Sequence, residues 1–107
     1  MSRGTVTRLA LLSAGIATMA WASSAVAEDY KARAWASTCF ACHGTDGRSE
    51  GEFPALAGKS EKDLYEAMSG FKAETKKPST IMHQHAKGYT DDQLKRIAAY
   101  FSTRTKK

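Results

Sequence analysis

Apolar residues recur at helical spacing in three stretches of this chain. Ala32, Trp35, Ala36 and Cys39 lie three and four residues apart, which predicts a short helix over Tyr30–Thr38. Leu64, Tyr65, Met68 and Phe71 repeat the pattern behind Ser60-Glu61-Lys62-Asp63, where a serine N-cap and first-turn acids mark a helix start. Gly70 is placed to interrupt or cap that helix. Leu94, Ile97, Ala98 and Phe101 form a third apolar face behind Thr90-Asp91-Asp92-Gln93, a capping box, with Lys95, Arg96 and Ser102 on the other faces. Between these stretches the pattern lapses. Gly44-Thr45-Asp46-Gly47 opens a loop that runs through Pro54 to Gly58, and Glu74–Ser79, lysine-rich and carrying Pro78, reads as a second loop followed by Ile81-Met82. Thr103–Lys107 is a basic tail expected to fray. No apolar–polar alternation suggests a strand, so the predicted class is all-α.

A fourth apolar run behaves differently. Leu9–Ala22 follows Arg3 and Arg8 and precedes Ala25-Val26-Ala27. Basic, apolar and A-x-A segments in that order predict a secretory leader over residues 1–27, with the mature chain starting near Glu28. The run is too short for a membrane anchor, no second one follows, and twin arginines are absent. Export by the general route to the periplasm is expected; an amphipathic mitochondrial presequence is the weaker alternative. Residues 28–107 then form one small domain of about 80 residues, short of apolar core unless something staples it. Removing Arg3 and Arg8 takes the net charge from +5 to +3. The excess sits in Lys72, Lys76, Lys77, Lys87, Lys95, Arg96 and the tail. It reads as a solvated surface, or as a basic rim that steers an acidic redox partner. The excess is small and no recognition module is present, which argues against nucleic-acid binding.

The staple is suggested by Cys39-Phe40-Ala41-Cys42-His43. The spacing C-x-x-C-H is that of c-type haem attachment: two thiols can each add to one vinyl group of a porphyrin, and the adjacent imidazole reaches the iron. These are the only two cysteines of the chain. A thioredoxin-like pair would need a βαβ context. A structural zinc site would need four ligands, and His83 and His85 are too close in sequence to supply a second pair. A Cys39–Cys42 disulfide would close a tiny loop and stabilise little. One covalent haem is therefore predicted.

A six-coordinate haem iron takes two axial ligands, and His43 is the proximal one. Its second ring nitrogen then needs an acceptor, for which the turn at Pro54 offers a carbonyl. The distal candidates are Met68, Met82, His83 and His85. Met68 lies at core spacing within a predicted helix. Met82 lies between a proline-bearing loop and the last helix, where a loop can present a thioether opposite His43. His83 and His85 compete as imidazoles, or are exposed histidines beside a basic loop. The residues favour Met82 and leave the histidines open.

Over the whole of residues 28–107 the chain resembles the class I c-type cytochromes. The likeness rests on Ala36, Cys39-Phe-Ala-Cys42-His43-Gly44-Thr-Asp-Gly47, Pro54-Ala-Leu56-Ala-Gly58, Met82 with Ala86, and Ile97-Ala-Ala-Tyr100-Phe101. The resemblance implies the class I cytochrome c fold: short helices wrapped around one haem, with the first and last crossing at Ala36 and Tyr100. It implies Pro54 as carbonyl partner of His43, Leu56 as a haem-packing residue and Met82 as sixth ligand. Ser79-Thr-Ile-Met82 and Ala86-Lys-Gly-Tyr-Thr-Asp-Asp-Gln93 are similar to the cytochrome subunit of flavocytochrome c sulfide dehydrogenase. In that family an FAD-bearing flavoprotein oxidises sulfide and passes electrons to the cytochrome. A single C-x-x-C-H would match a monohaem form.

The expected function is one-electron transfer, with electrons arriving from a flavoprotein subunit and leaving to other cytochromes. The chain itself holds no flavin-binding G-x-G-x-x-G unit and would break no bonds. A free diffusible carrier is the alternative. A haem enzyme or gas sensor would need an open iron position, and a thiol–disulfide protein would be colourless. The small-core argument makes a prediction. Replacing Cys39 and Cys42 together by serine should abolish covalent haem and leave little helicity in far-UV circular dichroism; a stably folded, haem-free double variant would contradict it.

Overall fold

The computed structural model describes residues 28–77 and 80–106, with Gly4 and Gly15 as isolated positions. Apart from those two glycines, the expected leader over 1–27 lies outside the described residues, as do Pro78-Ser79 of the second predicted loop and Lys107. The described residues form helices and turns with no strand, as an all-α cytochrome c fold requires.

Helix α1 spans Tyr30–Ser37 and is N-capped by Asp29, whose Oδ1 accepts from the Ala32 amide at 3.0 Å. The chain then turns at Thr38 and re-enters a helical turn, α2, over Phe40–His43. Gly44, at φ 81°, ends α2; a Cβ there would sit 2.7 Å from the Ser49 amide nitrogen, so only glycine fits the turn. A 3₁₀ turn over Thr45–Gly47 follows, with Asp46 in the left-handed region at φ 54°. Helix α3 spans Glu61–Lys72 behind the predicted N-cap: Ser60 Oγ accepts from the Asp63 amide at 3.1 Å. Gly70 neither breaks nor caps it. Its carbonyl instead accepts from the Thr75 and Lys76 amides as the chain doubles back, at 3.0 and 3.2 Å. Helix α4 spans Met82–Lys87 and was not anticipated, because six residues are too few for a helical period to declare itself. Helix α5 spans Asp91–Ser102. Its capping box is complete: Thr90 Oγ1 accepts from Gln93 N at 3.2 Å and the Thr90 amide donates to Gln93 Oε1 at 2.9 Å.

The core is built on α5. Ala32 and Ala36 of α1, Leu64 of α3, and Ile97, Ala98, Tyr100 and Phe101 of α5 form one buried cluster. Ala36 and Ala98 are wholly buried, and such small side chains let α1 and α5 approach closely. Phe40 of α2 packs its ring 6.4 Å from Tyr100 and 6.2 Å from Phe101. The α1–α5 contact is also tied at its rim. Arg96 Nε and Nη2 donate to the two Asp29 oxygens at 2.6 Å each, while its guanidinium lies 4.7 Å from the Trp35 ring centroid.

Asp29 therefore serves both as helix cap and as ion-pair partner. The Arg96 hydrogen bonds, and then the Ala32 amide, lower its pKa from 3.8 to about 2. A carboxyl depressed in the folded state contributes stability that is present above 3.8 and lost as pH falls through about 2. Asp29→Asn keeps a cap but not the charge. The thermal midpoint of this variant should fall less steeply than that of the parent as pH drops through this window.

Candidate haem site

Because Cys39 already has helical backbone angles, φ −86° and ψ −17°, the motif occupies a single helical turn. Cys39, Cys42 and His43 are then residues i, i+3 and i+4, which share one side of a helix. Phe40, between the two cysteines, packs into the core and anchors that turn, and Cys39 also lies against the core cluster. Both cysteines are free thiols, Cys39 half-buried and Cys42 exposed. Burial pushes the Cys39 thiol up, with the neighbouring Cys42 adding to the rise against a lowering contact from Thr38.

His43 is buried at 8% exposure, and its Nδ1 lies 2.7 Å from the Pro54 carbonyl oxygen. An N–H at Nδ1 donates to that carbonyl, which fixes the ring and leaves Nε2 as the free lone pair. Pro54 is held in turn by the glycine loop. The Leu56 and Ala57 amides both donate to the Gly47 carbonyl, at 2.8 and 3.0 Å, and the Gly58 amide donates to the Phe101 carbonyl at 2.9 Å. Gly47 admits no side chain, because a Cβ there would lie 2.8 Å from Phe101 Cδ1. Tyr100 donates its hydroxyl to Asp46 in the same loop, and Arg48 Nη1 reaches Asp46 Oδ2 at 3.2 Å. The Tyr100 bond holds the Asp46 carboxyl below its usual range, while burial and that carboxylate push the Tyr100 phenol up. Leu56 is half-buried against the core cluster.

Met82 is the first residue of α4 rather than a loop residue, and it is half-buried. Its amide donates to Thr80 Oγ1 at 3.1 Å. Met68 packs against the core cluster, as its spacing suggests. His85 is exposed, but His83 is not: it is 3% exposed, its ring lies 5.6 Å from that of Phe71, and Nε2 is 2.9 Å from the Lys76 carbonyl oxygen. The exposed-histidine reading is thus corrected for His83. The cause is the fold-back at Gly70, which brings the Lys76 backbone to α4. Phe53 also escaped the sequence reading. Its ring, half in solvent, stands 6.3 Å from that of His43. Nothing in a loop without period marks such a residue in advance.

The donor set fits a c-type haem: two unpaired thiols and an imidazole with one nitrogen already committed, all on one turn. The described residues contain no cluster of three or more His, Cys, Asp or Glu side chains that would suggest another metal site.

Comparison with known proteins agrees. The family model described as "Cytochrome c" matches residues 30–105. The chain is 43% identical over 70 residues to the cytochrome subunit of sulfide dehydrogenase from Chlorobaculum tepidum, an alignment covering 65% of this chain and 63% of that one. It is 40% identical over 65 residues to cytochrome c-552 of Acidithiobacillus ferridurans, covering 61% of this chain and 28% of that one. It is 35% identical over 69 residues to cytochrome c-554(548) of Halomonas halodenitrificans, covering 62% of this chain and 83% of that one. The chain thus spans less than two thirds of the length of the first two relatives. With the family match running from the first residue of α1 to just past the end of α5, the chain belongs to the cytochrome c family, carrying one covalent haem c and transferring electrons.

Proposed function

We propose that this cytochrome accepts electrons from an FAD-bearing sulfide dehydrogenase subunit in the periplasm and passes them to other cytochromes, with His43 and Met82 as axial ligands. When bound, haem supplies a one-electron couple at its iron. The chain's part is to hold and orient. Cys39 and Cys42 tether the group, Leu56 packs against it, and His43 offers Nε2 because Nδ1 is committed to Pro54. That 2.7 Å hydrogen bond is the observation that carries the ligand assignment on the proximal side. Met82 is favoured on the distal side. It is half-buried at the start of α4, whereas Met68 sits mid-helix at core spacing, His83 is 3% exposed with its ring against Phe71, and His85 is exposed. His/Met ligation leaves no open position and raises the reduction potential, which suits electron transfer rather than substrate binding.

The likeness to the Chlorobaculum tepidum subunit supports the sulfide dehydrogenase partner. The expected leader supports export, and among the described residues no helix is long and apolar enough to cross a membrane. A free diffusible carrier is the second reading, favoured by the match to cytochrome c-554(548) over most of that protein's length.

Two outcomes test these assignments. Met82→Ala should leave haem attached but lower the reduction potential by on the order of 0.1 V, within the range of about 0.8 V that axial ligands set. It should also open the reduced protein to carbon monoxide. A variant that keeps the spectrum of thioether-ligated iron would make Met68 the ligand. Purified from its own host, the protein should co-elute with a polypeptide showing flavin absorbance. Elution as a monomer with no flavin would favour the free carrier.

A further inference from the structure

Helix α4 carries Met82, yet it is only six residues long and none of its residues belongs to the buried cluster around α5. Its own buried residues are Ala86 and His83, so its hold lies outside that cluster. A continuous chain of contacts runs to it from α3. The Gly70 carbonyl accepts from the Thr75 and Lys76 amides and so fixes the Lys76 peptide. The Lys76 carbonyl faces His83 Nε2 at 2.9 Å, and the imidazole, nearly fully buried, packs at 5.6 Å on the Phe71 ring. The His83 amide donates to the Thr80 carbonyl at 3.1 Å, and the Met82 amide donates to Thr80 Oγ1, also at 3.1 Å. The Lys87–Glu74 ion pair, at 2.5 Å, makes a second tie from α4 to the same loop. Both partners are substantially exposed, so it adds little.

We propose that His83 is a positioning residue for the distal ligand: the Nε2–H bond to the Lys76 carbonyl, with the ring set against Phe71, holds the first turn of α4 and so governs how firmly the Met82 thioether is kept on iron. The inference rests on Met82 being that ligand. A buried imidazole donating to a backbone carbonyl is a costly arrangement to leave unpaired. Deleting the bond while keeping a ring therefore loosens the turn that carries Met82, without removing any group that touches the haem.

The test uses the haem-loaded ferric protein. Exogenous imidazole is titrated in, and the loss of the far-red charge-transfer band of thioether-ligated ferric haem is followed. His83→Phe keeps aromatic packing but has no N–H. It should bind imidazole about 2- to 10-fold more tightly than the parent, the worth of one neutral hydrogen bond. His83→Gln, whose amide can donate to the same carbonyl, should restore most of the difference. Asp29→Ala removes the cap of α1 and its tie to Arg96, a contact with no partner in α4 or in the Lys76 turn. It should lower the unfolding midpoint but leave imidazole affinity unchanged. Parental affinity in His83→Phe, or equal tightening in Asp29→Ala, would overturn the proposal.

Met82→Ala separates the two readings. If that variant keeps the charge-transfer band, the ligand assignment fails and this inference with it. If the band is lost but His83→Phe behaves as the parent, only the role of His83 fails. Should His83→Phe not accumulate, the parent labelled with ¹⁵N-histidine serves instead. In the reduced, diamagnetic protein the His83 Nε2–H should exchange with solvent faster once carbon monoxide has displaced Met82, and unchanged exchange would sink the proposal.

Discussion

The buried face of α5 is the constraint on which the rest of this protein depends. Leu94, Ile97, Ala98, Tyr100 and Phe101 are all withdrawn from water. The segments around His43 touch that face or its backbone. Helix α1 lies against it through Ala32 and Ala36, and α2 through Phe40. The turn after Pro54 hangs from the Phe101 carbonyl, and the glycine loop is hooked by the Tyr100 hydroxyl. Among the described residues no second cluster of that size takes over, so a side chain lost from α5 is felt around His43 as well as in stability.

The two sides of the site are held by different means. His43 is oriented by a proline carbonyl whose own position comes from backbone hydrogen bonds to Gly47 and Phe101. The side chain of Asp46, held by Tyr100 and Arg48, adds a second tie to the same loop. Met82 rides on a short helix held by an imidazole, a hydroxyl and an exposed ion pair. On the ligand assignment proposed above, backbone scaffolding fixes the proximal side, and side-chain scaffolding leaves the distal side open to adjustment by substitution.

The parts legible in the sequence are those with a local physical signature. The capping box at Thr90, the serine cap at Ser60 and the apolar stripe of α5 each declare themselves within a few residues, and all three stand where expected. Spacing suffices for Cys39, Cys42 and His43 because one helical turn sets their relation. What could not be read depends on contacts distant in sequence. The burial of His83 follows from where the chain folds back after Gly70, and the nearness of Phe53 to His43 from a loop pinned by Gly47. Helix α4 lacks the length to show a period. Gly70 misled, because a glycine late in a helix looks like a stop; here it makes room instead, since a Cβ would press to 3.2 Å against that of Lys76.

The positive residues have a consequence of their own. Lys72 is spent on Asp91 and the Tyr89 carbonyl, Lys87 on Glu74, and Arg96 on Asp29. Lys76, Lys95 and Arg104 lie over the rings of Phe71, Tyr65 and Tyr100. A cation paired at home projects little field beyond a Debye length, so the pull on a distant anion comes from the exposed remainder, Lys76, Lys77, Lys95 and Lys106 among them.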